Sequence, residues 1–517
     1  MNPITGNTSA SFEPSQDYVV VKIPLWPEKQ FPGENSIGVS MKSTGETMGI
    51  GRAFEEAFFK ALVSTEIDLS RYFRVKIDEQ YLREHIRKPT RERVGCIINA
   101  ILQGVSIREL SEMSGWDSRI LARIHEPLSA LFQLNRDEVW EMLPDLKRWG
   151  IPDRIISWAT GITELELLSK RREMNIIPSY RIIDSSSGEY RSGTGYLYST
   201  YFEEDESGGH LEKSVIIMGS GPNRIAQGLE FDYSAVKAVR HLGKTGWNSL
   251  MINSNPETVS TDFDESGQLY FEPLVPEYVS GLIDRKNPLG VIVQFSGQTG
   301  QNMAMILSKV HGDEILLGTS CNSIMNIEER GIFSGFLQKN GILQPEWRTA
   351  GDVEEIMKSV GILHFPVIVR SSYIIGGSLM RILRKEKDLE LYLEEYRKIP
   401  DGMEVHISSY LEGAREFDLD FICNGEEIVT IGIMEHLEPA GVHSGDAISI
   451  GGPGIPDKKL RDNAIHIASL LSREFSLKGF ANLQFMEKKR GYIHHRTEQQ
   501  GQQDHTHNGK AFGPALG

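Results

Sequence analysis

The first segment suited to bind an anion is the glycine-containing loop at residues 219–224 (GSGPNR), which follows a short apolar run. Its glycines permit close approach of backbone N–H groups to a phosphate. Asn223 and Arg224 favour a planar anion, because Arg binds a carboxylate or phosphate through two parallel hydrogen bonds. The last position is Arg, so the loop departs from the Gly-x-Gly-x-x-Gly pattern of dinucleotide sites. A tight turn that binds no ligand explains the glycines equally well.

A second candidate is the segment at residues 370–378 (RSSYIIGGS), which begins at the end of a strand-like run. Gly376 and Gly377 suit a flexible flap whose backbone N–H groups face a triphosphate, with Arg370 supplying positive charge. A β-hairpin turn explains the glycine pair equally well.

A third candidate is the loop at residues 441–446 (GVHSGD), in which His443 and Ser444 are adjacent. A serine hydrolase is a poor interpretation, because the sequence lacks the Gly-x-Ser-x-Gly elbow and neighbours on an extended segment face opposite ways. The loop is better suited to contact phosphate or ribose. A structural role for His443 fits the residues equally well.

Carboxylate and amide side chains lie on two predicted strands. Glu416 belongs to residues 415–420 (REFDLD), where acidic residues alternate with apolar ones, so the strand has an acidic face. A solvated face is an equal alternative. Gln484 lies near the end of the strand-like run 481–485, and oxygen donors at strand ends are what Mg²⁺ needs when it bridges a protein and substrate phosphates.

The elements predicted to position these loops alternate between strands and helices. The apolar runs at 214–218, 249–253 and 290–295 are separated by helical stretches, which predicts a parallel sheet whose loops gather at the carboxyl ends of the strands. Two further polar segments follow the second and third runs and supply Asn255, Glu257, Thr258, Gln298 and Thr299. A second α/β unit follows to residue 493, with strands near 367–370, 416–423 and 481–485.

The preceding chain has a different character. Residues 18–24 read as a strand and AFEEAFFKAL at 53–62 as a helix, but residues 1–70 have little core of their own and look like the closing piece of another domain. Residues 71–183 have helical apolar spacing, whereas 184–212 form a Ser/Gly/acidic connector.

The bulk composition excludes several classes of protein. The chain has 517 residues, 39% of them hydrophobic, with a net charge of −16 that argues against broad binding to nucleic acid. No apolar run is long enough to span a membrane, and the first residues resemble neither a signal nor a transit peptide. The 3 cysteines are far apart and lack metal-ligand spacing. A cytoplasmic protein is expected.

Taken together, these segments resemble the C-terminal section of the large chain of carbamoyl phosphate synthetase, an ATP-grasp family. The resemblance runs from about residue 3 to Ile493. It rests on five motifs in the family's order: GPNRIAQGLEFDY (221–233), NSNPETVSTDFD (253–264), QFSGQT (294–299), RSSYIIGGS (370–378) and IMEHLEPAGVHSGD (433–446). A biotin-dependent carboxylase would share the fold but not the first two motifs.

The resemblance implies the phosphorylation of carbamate by ATP, with Mg²⁺ or Mn²⁺, for pyrimidine and arginine biosynthesis. Gln484 would contact the metal, Glu416 would receive the ribose hydroxyls, and Arg370, Gly376 and Gly377 would lie over the phosphates; Arg370 and Gln484 are the expected catalytic residues. The implied ATP site also includes Arg330, Ser409, Leu411, Gly441, Val442, His443 and Ser444. One departure is Ser371, where the family usually has proline.

The resemblance also implies an α/β fold with distinct domains and partners. A helical oligomerisation-type domain would be followed by a parallel pre-ATP-grasp domain at 213–320 and an incomplete ATP-grasp domain at 321–493. Residues 1–70 would be a remnant of the first synthetase half. The expected partners are the N-terminal section of the large chain and a glutaminase small subunit. Some archaea encode the large chain as two polypeptides, and under that interpretation this chain would be the second of them.

The run from 494 to 517 departs from the family pattern. The family requires Glu-x-Asn-x-Arg from position 496, where Glu and Asn bind the metal, but this sequence has Arg496, Glu498 and Gln500. A metal site of His494, His495, His505 and His507 is disfavoured, because no strand or helix period fixes their geometry. Read one base later, codons that are permitted for this run can encode the missing motif. We hypothesise a frameshift, which makes a catalytically inactive, truncated product the main alternative to an active enzyme.

Sequencing the gene across the codons for residues 490–500 tests the frameshift. We expect an inserted or deleted base relative to close relatives. An intact frame that encodes HHRTEQQ without any such change would contradict the hypothesis.

Overall fold

The structure is a computed structural model that describes most of the chain. It describes residues 6, 8, 9, 11, 13, 15–26, 38–65, 67–184, 186, 187, 189, 190, 195–223, 229–371, 380–397, 404–442, 446–488 and 492–499, with the backbone alone at 229, 328, 330, 371, 488 and 492–499. The chain divides into two compact units between Leu317 and Gly318. None of the described helices is long and apolar enough to cross a membrane.

The first unit opens with a β-hairpin and a buried helix. Strand β1 (Val19–Leu25) pairs antiparallel with β2 (Gly45–Gly51), and helix α1 (Phe54–Ser64) follows. Both elements predicted here are present. The apolar side chains of α1, among them Phe58 and Phe59, belong to the same core as the helices that follow, so this segment gains from the helical region the core that it lacks alone.

The helical region predicted from the apolar spacing is confirmed. Its described helices pack around one core of leucine and isoleucine side chains, and two of them begin with a capping box, at Asn135 and Thr163. They are α2 (Ser70–Arg74), α3 (Glu79–Arg87), α4 (Arg93–Leu102), α5 (Ile107–Ser114), α6 (Ser118–Gln133), α7 (Arg136–Arg148), α8 (Asp153–Thr160) and α9 (Glu164–Glu173).

A mainly parallel sheet completes the first unit, as the alternating pattern predicts. Its described strands have the order β3-β4-β7-β6-β5-β8, and only β3 runs antiparallel to its neighbour. The strands are β3 (Ser179–Ile182), β4 (Tyr196–Thr200), β5 (Ser214–Met218), β6 (Asn248–Asn253), β7 (Gln268–Phe271) and β8 (Val291–Ile292); the helices are α10 (Leu229–Lys244), α11 (Pro276–Lys286) and α12 (Gly297–His311).

Two details of this sheet differ from the sequence prediction. Part of the predicted connector, β4, pairs with β7 as a buried strand, because its Leu197 and Tyr198 side chains fill the core. The third predicted strand is shorter than expected, since the chain turns into a 3₁₀ helix at Gln294–Ser296.

The second unit contains two antiparallel sheets, each covered by helices. The smaller sheet has the order β11-β10-β12-β9, and the larger has the order β15-β14-β13-β16-β17. The strands are β9 (Trp347–Ala350), β10 (Val367–Ser371), β11 (Arg381–Leu383), β12 (Val405–Ser409), β13 (Arg415–Asn424), β14 (Ile428–His436), β15 (Ser449–Gly451), β16 (Lys478–Lys488) and β17 (Tyr492–Gln499); the helices are α13 (Cys321–Glu328), α14 (Arg330–Lys339), α15 (Val353–Leu363), α16 (Glu386–Tyr396) and α17 (Lys458–Glu474).

The last described segment is a strand at the edge of the larger sheet. Although the run from His494 has no apolar period in the sequence, β17 pairs antiparallel with β16 along its whole length. Backbone pairing of this kind needs no apolar alternation when the strand lies at the edge of a sheet.

Buried ion pairs join the helical region to the sheet within the first unit. The Lys147 ammonium lies 2.5 Å from Glu277 and 3.1 Å from Asp153, and Arg171 lies 2.8 Å from Asp153. All four side chains are fully buried. Burial alone would raise the pKa of Glu277, but the neighbouring Lys147 and Arg171 outweigh it and leave that pKa below its usual range.

Replacing Lys147 with Met should destabilise the first unit by about 3 to 5 kcal/mol, because it leaves buried carboxylates with too few cations. Urea unfolding followed by tryptophan fluorescence measures this, since 6 of the 7 tryptophans lie in residues 1–317. Arg108→Ala, which removes the exposed ion pair with Glu112, is the control and should cost less than about 0.5 kcal/mol. Equal costs for the two variants would contradict the prediction.

Candidate functional site

Strand β13 places three carboxylates on one face of the larger sheet. Phe417, Leu419 and Phe421 alternate with Glu416, Asp418 and Asp420 and fill the core beneath the sheet. Glu416 is 1% exposed and Asp420 is 7% exposed. A solvated strand face, the alternative interpretation of this pattern, therefore does not describe these carboxylates. We call this set of side chains, with those opposite them on the neighbouring strands, the polar face.

The strand register continues the polar face across the sheet. Asp418 lies opposite Gln484 on β16, and Gln484 in turn lies opposite the backbone of Arg496 on β17. Asp420 lies opposite Asn482 and accepts a 2.8 Å hydrogen bond from its amide nitrogen. Because opposite residues of paired strands share a face, Glu416 and Gln484, chosen from the sequence, belong to one surface.

His436 on β14 belongs to the same surface and was not predicted as a site residue. Its Nε2 lies 2.7 Å from the Asp418 carboxylate, and its Nδ1 is buried without a hydrogen-bond partner in the structure. Burial alone would lower the pKa of His436, but the hydrogen bond to Asp418 and the charges of Glu416 and Glu438 outweigh it, so that the pKa is raised above 6.5. The pairing of β13 with β14 fixes this contact, so no local pattern in the sequence predicts it.

The loop after β14 meets Glu416. The N–H of Gly441 donates a 3.3 Å hydrogen bond to the Glu416 carboxylate. Gly441 has φ +96°, and a Cβ there would lie 2.8 Å from the Tyr410 hydroxyl, so only glycine fits this position without strain. Glu416 and Gly441, both predicted to line the ATP site, are thus in contact. Val442 is half-buried, and His443 and Ser444 lie outside the described residues.

Other residues of the implied ATP site lie on the smaller sheet or beyond the described residues. Arg370 on β10 is half-buried and opposite His406 on β12, the strand that ends at Ser409; Leu411 follows two residues later. Arg330 begins α14, although its side chain is not described. Gly376 and Gly377 lie outside the described residues, so the proposed flap is untested.

In the first unit, the buried Asn253 holds two of the predicted anion loops together. Its Oδ1 accepts hydrogen bonds from the N–H groups of Gly221 at 3.1 Å and Ser254 at 2.9 Å, and its Nδ2 donates to Ser260 at 3.2 Å. A Cβ at Gly219 would lie 2.4 Å from the Asn253 side chain, which explains one glycine of the first loop by packing. Asn253 was missed because it ends a buried strand.

Asn255 is the most deeply buried of the described residues predicted in these loops. It is 1% exposed, its Oδ1 accepts from the Glu257 N–H at 2.9 Å, and its Nδ2 has no hydrogen-bond partner in the structure. A buried donor without a partner is costly unless a ligand satisfies it. Gln301 on α12 is also buried with both amide atoms unpartnered, and the sequence prediction missed it.

The remaining loop residues are partly accessible. Glu257 is exposed, and four others are half-buried: Asn223, Thr258, Gln298 and Thr299. Gln298 donates to Asn302 at 3.2 Å. Arg224 lies outside the described residues.

The polar face offers oxygen donors but does not complete a magnesium site. Gln484 supplies an amide oxygen, while Asp418 and Asp420 are engaged by His436 and Asn482. No cluster of three or more metal-ligating His, Cys, Asp or Glu side chains occurs among the described residues. Position 496, opposite Gln484, carries Arg where an anionic ligand would be needed. The described residues of the polar face therefore do not by themselves complete a site for a metal ion.

Comparison with known families identifies three consecutive domains. Residues 46–175 match the carbamoyl-phosphate synthetase large chain oligomerisation domain, residues 211–326 match the carbamoyl phosphate synthase preATP-grasp domain, and residues 337–495 match the carbamoyl-phosphate synthase L chain ATP binding domain.

Full-length relatives agree with these matches. The chain is 46% identical over 484 residues to the carbamoyl phosphate synthase large chain of Thermoplasma volcanium, and 38% identical over 499 residues to that of Methanosarcina acetivorans. These alignments cover 93% and 94% of this chain but 46% of each relative, so the chain spans about half the length of the curated relatives it matches. A biotin carboxylase complex from Campylobacter jejuni is similar over 57% of this chain and 66% of its own, with 16% identity and a TM-score of 0.44, a level that supports no argument about function.

The His436–Asp418 pair makes a prediction about proton binding. In ¹³C-histidine NMR, His436 should titrate above pH 6.5, and Asp418→Asn should lower its pKa, because burial then acts without the paired carboxylate. Since the folded-state pKa is raised, the pair stabilises the fold fully below about pH 6.5 and this stabilisation is lost as pH rises through the folded pKa.

His436→Asn assigns the resonance, and Glu412→Gln at an exposed position of the same unit is the control. An unchanged His436 pKa in the Asp418→Asn variant would contradict the pairing.

Proposed function

Because the chain belongs to the carbamoyl phosphate synthetase large-chain family, a family of ATP-grasp ligases, we propose that it phosphorylates carbamate with ATP. A carbamate oxygen attacks the γ-phosphorus, the bond between that phosphorus and the β,γ-bridging oxygen breaks, and carbamoyl phosphate and ADP leave. No covalent bond to the protein is required, so positioning and charge neutralisation carry the reaction.

The observation that carries this proposal is the enclosed polar face of the second unit. A buried carboxylate, Glu416, accepts a backbone hydrogen bond from Gly441 and shares its surface with Gln484. An ionised carboxylate has two acceptor oxygens, which suits the two hydroxyls of a ribose. We assign this role to Glu416 and a phosphate-contacting role to Arg370.

The loops of the first unit are proposed to bind the anionic substrate. Asn255 supports this role, because its buried amide nitrogen has no hydrogen-bond partner among the described residues. We propose that Asn223, Arg224, Glu257, Thr258, Gln298 and Thr299 act with it.

ATP and a divalent cation, Mg²⁺ or Mn²⁺, are the proposed cofactors. When bound, the cation would neutralise phosphate charge, and Gln484 is its proposed ligand. At position 496 the sequence has Arg, and a positively charged side chain would not bind the divalent cation.

The remaining partners follow from the half-length match. We propose that the N-terminal section of the large chain and a glutaminase small subunit complete the enzyme, which would supply carbamoyl phosphate for pyrimidine and arginine biosynthesis. The three cysteines are buried and form no disulfide, which favours a reducing compartment, and we propose the cytoplasm.

A second candidate function is supported by Arg496 alone. Its backbone lies opposite Gln484, so a cation stands where the family requires a metal-binding carboxylate. Under this alternative the chain binds nucleotide without turnover.

Incubating the chain with ADP, carbamoyl phosphate and Mg²⁺, and measuring ATP, tests the proposal in the reverse direction. We expect slow ATP formation by the natural chain. Restoring the family motif with Arg496→Glu, Glu498→Asn and Gln500→Arg should raise the rate on the order of 100-fold, because the restored Glu and Asn could hold a cation that neutralises phosphate charge.

Lys339→Glu reverses one exposed charge in the same unit and is the control; it should leave the rate unchanged. ADP binding without ATP formation in both the natural chain and the restored variant would overturn the proposed reaction and support the inert alternative.

A further inference from the structure

Strand β2, in the segment that looks like the remnant of another domain, contacts two of the anion loops of the first unit. Its sequence is GETMGIG, with glycine at positions 45, 49 and 51. Glycines let the backbone of a strand approach other backbone closely, at a cost in conformational entropy. The neighbours of these glycines show what that close approach achieves.

The first contact joins Gly45 to the loop that follows β5. A Cβ at Gly45 would lie 2.3 Å from the carbonyl oxygen of Asn223 and 3.0 Å from its carbonyl carbon. Because the obstacle is backbone rather than a flexible side chain, no rotamer change relieves it. Any larger residue at this position must displace Asn223.

The second contact joins β2 to the loop that follows β6. The Met48 N–H donates a 2.9 Å hydrogen bond to the carbonyl oxygen of Ser254. Ser254 lies between Asn253, which ties the two loops together, and Asn255, whose buried amide nitrogen has no partner in the structure. One strand therefore contacts the backbone of both loops.

β2 is itself fixed on its other side. Thr47 is fully buried and its hydroxyl donates a 3.0 Å hydrogen bond to the carbonyl of Ala61 on α1. The Cβ position of Gly49 lies 2.1 Å from the carbonyl oxygen of Ala57, also on α1. Since α1 is anchored in the helical core, β2 has little freedom to move away from the loops.

We propose that β2 is a positioning element for the anion site, and that Gly45 is its positioning residue. The strand sets the distance between the loop of Asn223 and the loop of Asn255, so that both present their amides to the carbamate or carbamoyl phosphate anion. This inference rests on the proposed function of these loops. It gives the segment before residue 70 a role in substrate binding.

The test is carbamoyl phosphate binding by the full chain carrying Gly45→Ala, measured by isothermal titration calorimetry. We expect an affinity on the order of 10- to 100-fold lower than that of the natural chain, the range that a displacement of about 1 Å can produce in a positioned site. MgADP affinity should not change, because the proposed nucleotide face belongs to the second unit.

Gly243→Ala is the matched control, because it makes the same substitution in the same unit where a Cβ has nothing within 4 Å. It should leave carbamoyl phosphate affinity unchanged. Equal affinity in the Gly45→Ala variant and the natural chain would overturn the inference. Absence of carbamoyl phosphate binding by the natural chain would instead overturn the proposed function.

Hydrogen–deuterium exchange keeps the inference testable if Gly45→Ala does not fold. In the natural chain, carbamoyl phosphate should slow exchange at residues 45–50 as well as at 253–261. Protection confined to 253–261 would contradict a positioning role for β2. Protection of both segments would support it.

Discussion

Strand β13 buries both of its faces, and the second unit is organised around that constraint. Its apolar face packs into a core in which the rings of Phe417 and Phe485 stack with their centroids 5.2 Å apart. Its other face carries carboxylates that are buried or partly buried. Buried carboxylates are costly without partners. Asp418 is therefore paired with His436 and Asp420 with Asn482, and Glu416 accepts a 3.3 Å hydrogen bond from the N–H of Gly441. This enclosed polar surface is the one to which we assign nucleotide binding.

The first unit also buries charged side chains, and there the carboxylates are paired with lysines. Lys147 and Lys60 are fully buried, and each lies against two buried carboxylates contributed by different parts of the unit. Lys60 belongs to α1 and also donates a hydrogen bond to the carbonyl oxygen of Ser199 on β4. Removing either cation leaves unpaired buried charge, so these clusters fix the N-terminal segment and the helical region to the sheet. The sheet loops are thereby held on a rigid frame.

Much of this fold follows from local sequence pattern. Strands β5 and β13 and the helical region were predicted because their apolar periods are clear, and Glu416 and Gln484 were chosen before the register placed them on one surface. Contacts set by distant pairing could not be predicted in the same way. His436 reaches Asp418 only through the hairpin, and the close approach at Gly45 appears only once two separate segments are folded.

We propose that the polar face of the second unit binds nucleotide through Glu416. The decisive measurement is titration of MgADP into the natural chain and into Glu416→Gln, with Glu412→Gln as an exposed control. We expect saturable binding that Glu416→Gln weakens about tenfold or more, because a charged hydrogen-bond acceptor is lost without any change in shape. Equal MgADP affinity in the natural chain and in a folded Glu416→Gln variant would contradict it.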